Sequence, residues 1–280
     1  MGARRAVELA LAVAKDAGGA RVFSLGELVH NPKVLGDLEK LGIIVLDALP
    51  SSLEGASVII RAHGVSPDLE SDILARGGRV VDATCPIVKE CQRNAAKLAR
   101  GGYRLFLAGK ADHAEIEGIL GYAKSGGLES AVVVENAVEA GKEAKKLYSL
   151  DADAKTALLG QTTISVDEYR AIAEKIKLFF PNVNIIETIC SATALRQNAL
   201  RELMEKVDAV IIAGGRKSAN TLRLLAIARD SGKPCALAED AGGIPIEFFN
   251  YGAVGISAGA STPDQVIDEI ERELLSRGRS

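Results

Sequence analysis

Short β-branched runs that close on polar or glycine-rich turns punctuate this chain, and stretches of helical periodicity fill the gaps between them. Eleven runs predict strands: RVFSL, GIIVLDAL, SVIIRAHG, GRVVDATC, YRLFLAG, SAVVVEN, TALLGQTT, NVNIIETIC, DAVIIAGG, PCALAED and AVGISAG. Helices are predicted over 86–100, 166–179, 191–206 and 263–277. Continuous apolar strands alternating with helices predict parallel sheets covered on both faces, an α/β fold. The opening segment is itself helical, with Ala6, Leu9, Ala10, Val13, Ala14 and Ala17 apolar at helix spacing and Gly18-Gly19 ending it. In such a fold a helix normally leaves the end of a strand, so the pattern predicts a strand ahead of Met1.

The pattern also repeats. VVDATCPIVKECQ and IIETICSATALRQ both run strand, acid, two residues, cysteine, helix, with a glutamine seven residues after each cysteine and an offset of 105 residues. His113 follows Cys85 by 28 residues, and Ser218 follows Cys190 by 28. The first third carries LVHN with His30, and counting back by about the same interval places a third cysteine immediately ahead of Met1. HGVSPD, QTTISVD and GASTPD each set Ser or Thr two residues before Asp, and predict three helix N-termini. Three similar α/β units sharing a centre are therefore expected, over 1–85, 86–187 and 188–280.

Composition narrows the chemistry. The formal net charge of −3 gives no basic face for nucleic acid or an anionic membrane. Charges interrupt every apolar run before membrane-spanning length, and no signal peptide is visible. Cys85, Cys91, Cys190 and Cys235 contain no CxxC pair and are too few for a disulfide scaffold in 280 residues. A reduced cytoplasm is the expected location.

Polar loops at the carboxyl ends of parallel strands are where α/β folds place ligands. A lone histidine is ordinarily structural, but all three here, His30, His63 and His113, fall in equivalent loops. Glu115 reads either as a solvated first-turn carboxylate or as part of a site. QTT and GGRKSAN offer hydroxyls and amides at helix starts, which suit phosphate, although GGRKSAN lacks the spacing of a Walker A motif. Cys91 and Cys235 read as buried small hydrophobes. Cys85 and Cys190 end strands and begin helices, where the thiolate that binds iron is favoured. Three such thiolates from three repeats would suit an iron–sulfur cluster with one iron left without a protein ligand.

LVHN, AHGVS, DATCP, HAEIEG, QTTISVD, TICSAT, KSAN and AGASTPD, in this order along the whole chain, resemble the 4-hydroxy-3-methylbut-2-enyl diphosphate reductase family. The resemblance implies three α/β units in a pseudo-threefold arrangement around a central [4Fe–4S] cluster. It implies reductive removal of the substrate's allylic hydroxyl, giving isopentenyl and dimethylallyl diphosphates in the last step of the non-mevalonate isoprenoid pathway. Electrons would come singly from ferredoxin or flavodoxin. By motif, Cys85 and Cys190 are cluster ligands and Glu115 delivers protons. His30, His63 and His113 surround the diphosphate and hydroxymethyl end, Thr162 lies beside the hydroxyl, and Ser218, Asn220 and Ser261 bind diphosphate.

The chain departs from the family pattern twice. Ala219 stands where many members have serine, leaving only its backbone amide. The family's first cluster cysteine belongs to a strand and GFC turn directly ahead of the segment matching MGARRAVELAL, so two of three thiolates remain and cluster binding should be poor. Two other readings stay open: a cluster-deficient diphosphate-binding paralogue without activity, and a different three-unit iron–sulfur enzyme resembling quinolinate synthase, against which the HAEIEG and QTTISVD pair argues.

Overall fold

Alternate side chains of each central strand enter opposite apolar layers, which is what a sheet covered by helices on both faces requires. A computed structural model describes residues 2–29, 31–128 and 131–278, so His30 lies outside the described residues. The first sheet holds β1 (Val22–Leu25), β2 (Ile43–Leu46), β3 (Ser57–Ile60) and β4 (Arg79–Asp82). The second holds β5 (Arg104–Ala108), β6 (Val132–Val134), β7 (Thr156–Gly160) and β8 (Asn184–Ile185), and the third β9 (Ala209–Ala213), β10 (Cys235–Ala238) and β11 (Val254–Ala258). Their orders are β2-β1-β3-β4, β6-β5-β7-β8 and β10-β9-β11, and every pairing is parallel. The fold is α/β with three parallel-sheet units, as the sequence pattern predicts.

Helices α1 (Gly2–Asp16) and α2 (Pro32–Lys40) cover one face of the first sheet, where Ile59 packs with Ala6 and Ala10; Val58 and Ile60 face α3 (Pro67–Ala75). On the second sheet Leu105 and Leu107 pack under α4 (Pro86–Arg100) and α5 (Ala114–Ser125), while Phe106 and Leu158 meet α6 (Ala137–Leu150) and α7 (Val166–Lys177). On the third, Val210 and Ile212 face α8 (Ser191–Met204) and α9 (Ala219–Asp230), and Ala209 and Ile211 face α10 (Asp264–Arg277).

Four expectations change in detail. The edge strand β2 leaves Ile44 and Val45 exposed, because among the described residues it pairs with β1 alone. The run NVNIIETIC pairs over only two residues; beyond them Thr188 Oγ1 accepts from Gly160 N at 2.8 Å, so a side chain replaces the ladder. Ser66 and Ser165 cap α3 and α7 as predicted, but Thr262 donates its hydroxyl to Ala213 O at 3.0 Å, and the residue before α10 is Pro263. Cys91 is buried, but Cys235 is half-exposed at the start of an edge strand.

Candidate active site

In each sheet the chain leaves the first strand in one direction and returns on its other side, so a crevice opens between two loops at the carboxyl edge. The predicted residues occupy those loops. His63 follows β3; His113 follows β5 and Thr162 follows β7; Ser218 and Asn220 follow β9 and Ser261 follows β11. Cys85 and Cys190 follow the outer strands β4 and β8. All three sheets contribute to one cavity, lined by His63, Cys85, Glu115, Thr162, Cys190, Ser218, Asn220 and Ser261. His113 lines the adjoining cleft and sets its ring edge-on to His63, centroids 5.3 Å apart.

The two cysteines are held alike. Each is the N-cap of its helix, with a proline or serine following, and neither sulfur caps the helix, which leaves both free as soft donors. Cys85 N donates to Ala62 O at 3.0 Å and Cys190 N to Thr162 O at 3.1 Å, so each is pinned to the loop of the neighbouring strand. The start of α1 meets Cys85: a Cβ built on Gly2 would lie 3.1 Å from its Sγ. Three helix starts, those of α1, α4 and α8, thus face one cavity. Among the described residues no group of three His, Cys, Asp or Glu side chains comes together to hold a metal.

Glu115 is not a solvated carboxylate. It is 1 % exposed, because the loop after β7 closes over the first turn of α5. Its Oε1 accepts from Thr162 N at 2.7 Å and its Oε2 from Thr162 Oγ1 at 3.1 Å. Burial disfavours the charged form more than these bonds favour it, and the pKa rises to about 7. His113 Nδ1 accepts from Glu115 N at 3.2 Å, which leaves the proton of the neutral ring on Nε2. Ser218 Oγ accepts from Thr221 N at the start of α9, so its O–H remains to donate. Asn220 is 7 % exposed and neither of its amide atoms finds a partner among the described residues. A buried amide left this way costs free energy unless a ligand completes it.

The cavity also takes residues that motif reading passed over. Thr163 and Gly2 line it, and so does Arg196, six residues after Cys190. The corresponding position after Cys85 is the core thiol Cys91, so the internal repeat gives no signal there.

The chain is similar to known proteins along nearly its whole length. The family model described as LytB protein matches residues 1–275. A 4-hydroxy-3-methylbut-2-enyl diphosphate reductase of Treponema denticola is 39% identical, with 98% of this chain and 95% of that protein covered. One from Aquifex aeolicus is 35% identical over 98% of this chain and 91% of its own. Among solved structures, the Plasmodium falciparum E-1-hydroxy-2-methyl-but-2-enyl-4-diphosphate reductase superposes with TM-score 0.89 at 27% identity, covering 97% of this chain and 83% of that one. A structure described as the terminal enzyme of the non-mevalonate pathway superposes with TM-score 0.71 at 35% identity, covering 99% and 95%.

Proposed function

The chain belongs to the LytB protein family, and from that membership we propose that it reduces 4-hydroxy-3-methylbut-2-enyl diphosphate, the terminal step of the non-mevalonate pathway. Two electrons and two protons enter, the allylic C–O bond breaks, water leaves, and isopentenyl or dimethylallyl diphosphate forms. The observation that carries the reading is the meeting of Cys85, Cys190 and a buried Glu115 in one cavity fed by all three sheets. In this reading residues 1–85, 86–187 and 188–280 are three units that each supply one side of the site.

Soft, uncapped thiols at helix starts fit an iron–sulfur cluster at two corners, and Cys85 and Cys190 would hold it. When bound, a [4Fe–4S] cluster supplies single electrons and a Lewis-acidic iron. The rest falls to the protein. Glu115, near half-protonated at neutral pH, gives its proton to the departing hydroxyl, with the Thr162 hydroxyl 3.1 Å away orienting the exchange. His63, Ser218 O–H, the Asn220 amide, Ser261 and the N-terminus of α9 receive the diphosphate. His113, bonded to Glu115 N through Nδ1, keeps Nε2–H as a donor beside His63, and by motif His30 joins the histidine set. A ferredoxin or flavodoxin delivers the electrons in a reduced cytoplasm; no described helix is long and apolar enough to cross a membrane.

The test is anaerobic reconstitution, with iron and sulfide, of this chain and of a form carrying a third cysteine at its N-terminus, followed by a reduced one-electron donor and product analysis. Formation of the two C5 diphosphates is expected from the form with three thiolates, and little of either from the form with two. Bound iron and sulfide without any turnover of this substrate would sink the reading. Substrate binding with no iron taken up would instead favour the cluster-deficient paralogue.

A further inference from the structure

The cavity that is to hold a diphosphate is short of positive charge. Its polar wall is made of hydroxyls, an amide, thiols, imidazole and one carboxyl group; among the described residues that line it, Arg196 is the one lysine or arginine. Arg196 lies in the second turn of α8. Side chains of a helix lean toward its N-terminus, so an arginine here reaches back to the end of α8 that carries Cys190. It lines both the cavity and the neighbouring cleft, and it shares both with Val29, Ala260 and Ser261. That places the guanidinium on the Ser261 side of the site.

Two observations make this more than a surface arginine. Arg196 Nη1 is fully buried and has no hydrogen-bond partner among the described residues. A buried guanidinium nitrogen without an acceptor is costly, and charged groups are ordinarily left so only where a ligand brings the acceptor. The Asn220 amide, across the same cavity, is buried and unpartnered in the same way. The second observation is the broken repeat: α4 and α8 share cysteine and glutamine at matching positions, yet the first places Cys91 in the core where the second turns Arg196 to the site.

We infer that Arg196 is a substrate-binding residue that supplies the positive charge for the diphosphate group, through Nη1 and beside Ser261. The inference rests on the diphosphate reading of the site. It assigns Arg196 to affinity and to selection of doubly phosphorylated ligands rather than to proton transfer. A guanidinium is charged at every working pH and matches phosphate oxygens in pairs.

The test compares the parent, reconstituted as above, with Arg196→Met, which keeps the stem and removes the charge, and Arg196→Lys, which keeps the charge. Inorganic pyrophosphate is the probe, followed by calorimetry, alongside KM and kcat for the allylic diphosphate. Arg196→Met should weaken pyrophosphate binding and raise KM about 10- to 100-fold, as expected for loss of a charged hydrogen bond, with kcat changing far less. The parent's affinity should fall with added salt more steeply than the variant's, and Arg196→Lys should recover most of the loss. Pyrophosphate binding within about twofold of the parent in Arg196→Met would overturn the assignment. So would equal losses in Met and Lys variants that both melt early, since that marks a packing role. If Arg196→Met does not fold, Arg196→Gln takes its place under the same criteria. A parent that binds pyrophosphate through Arg196 yet reduces no allylic diphosphate would refute the proposed reaction and leave this inference standing. Turnover with unaltered KM in Arg196→Met would do the reverse.

Discussion

The seam between the first two sheets and the seams around the third are built from different interactions. Between the first two, side chains press on glycine backbone. A Cβ at Gly121 would lie 3.0 Å from Ser66 Cα, and one at Gly64 would collide with the buried Gln92 side chain of α4. Lys89 bridges Glu70 and Asp82 at 3.2 and 3.0 Å, and Tyr122 O–H donates to Glu70. The third sheet is tied on by ion pairs: Arg201–Asp167 and Arg223–Glu168 to α7, Arg4–Asp264 to α1, and Lys217–Glu27 to the loop after β1. Close packing fixes geometry over tenths of an ångström, whereas half-exposed pairs fix it loosely and yield to salt. The tight seam carries His63, Glu115 and Thr162, which must hold a proton to a defined line. The loose one carries Ser218, Asn220 and Ser261, which only grip a diphosphate.

The sharpest test of that division is Glu115→Gln. The amide keeps an acceptor for Thr162 N and its NH2 meets Thr162 Oγ1, so the seam stays packed while the proton is gone. Turnover should fall about 10²- to 10⁴-fold with substrate affinity nearly unchanged. The parent should also lose turnover as pH rises through about 7, where Glu115 ionises, and the variant should not. Stability carries a matching sign. A carboxyl whose folded pKa lies above its unfolded value costs nothing below the unfolded value. Its cost then grows with pH and levels off above the folded pKa. From the ordinary value of 4.5 to about 7, the parent should lose on the order of 3 kcal/mol that Glu115→Gln does not. Denaturant melts at pH 5 and pH 8 measure it, and parallel slopes for the two proteins would show that Glu115 is not the buried acid.

Why the proton site was only half legible follows from the same seam. The elements were plain in the alternation of apolar residues, and Cys85 and Cys190 in their repetition, because both signals are local. Glu115 and Glu117 are both first-turn carboxylates of α5, and nothing within the helix separates them. What buries one is Thr162, 47 residues on and in the loop of the next strand but one. Ser66 and Ser165 declared their caps, whereas Thr262 was drawn away by Ala213 O, in a strand 49 residues earlier. Arg196 stands where the repeat has Cys91, so the regularity that exposed the cysteines concealed it. His30 was named by motif and lies outside the described residues.

A smaller effect is expected from breaking the tight seam itself. Gly121→Ala gains helix propensity worth about 1 kcal/mol, but the new methyl has to displace Ser66 backbone, and overpacking of this kind costs about 1–3 kcal/mol. The net change should be destabilising and should slow turnover, because Ser66 caps α3 close behind the His63 loop. A rise in melting temperature would mean that the seam has slack and that its closeness is not what positions the proton site.

The smallest effect belongs to the loose seam. Arg223–Glu168 is the best shielded of its pairs, at 2.8 Å with both side chains about one-third exposed, and even such a pair contributes roughly 0.2–1 kcal/mol. Arg223→Ala should therefore leave global melting almost unchanged, and its signature should be local. Amide exchange in α9, which carries Ser218 and Asn220 at its start, should quicken by up to about fivefold, a change of the size that one lost pair allows. Exchange in α5 behind Glu115 should stay as it was. In the parent, raising salt from low ionic strength to about 1 M, where the screening length shrinks to about 3 Å, should reproduce that pattern without any substitution. The two helices are the control for each other: if α5 loosens together with α9, then one continuous seam holds all three sheets, and the separation of a rigid proton site from a yielding diphosphate grip is wrong.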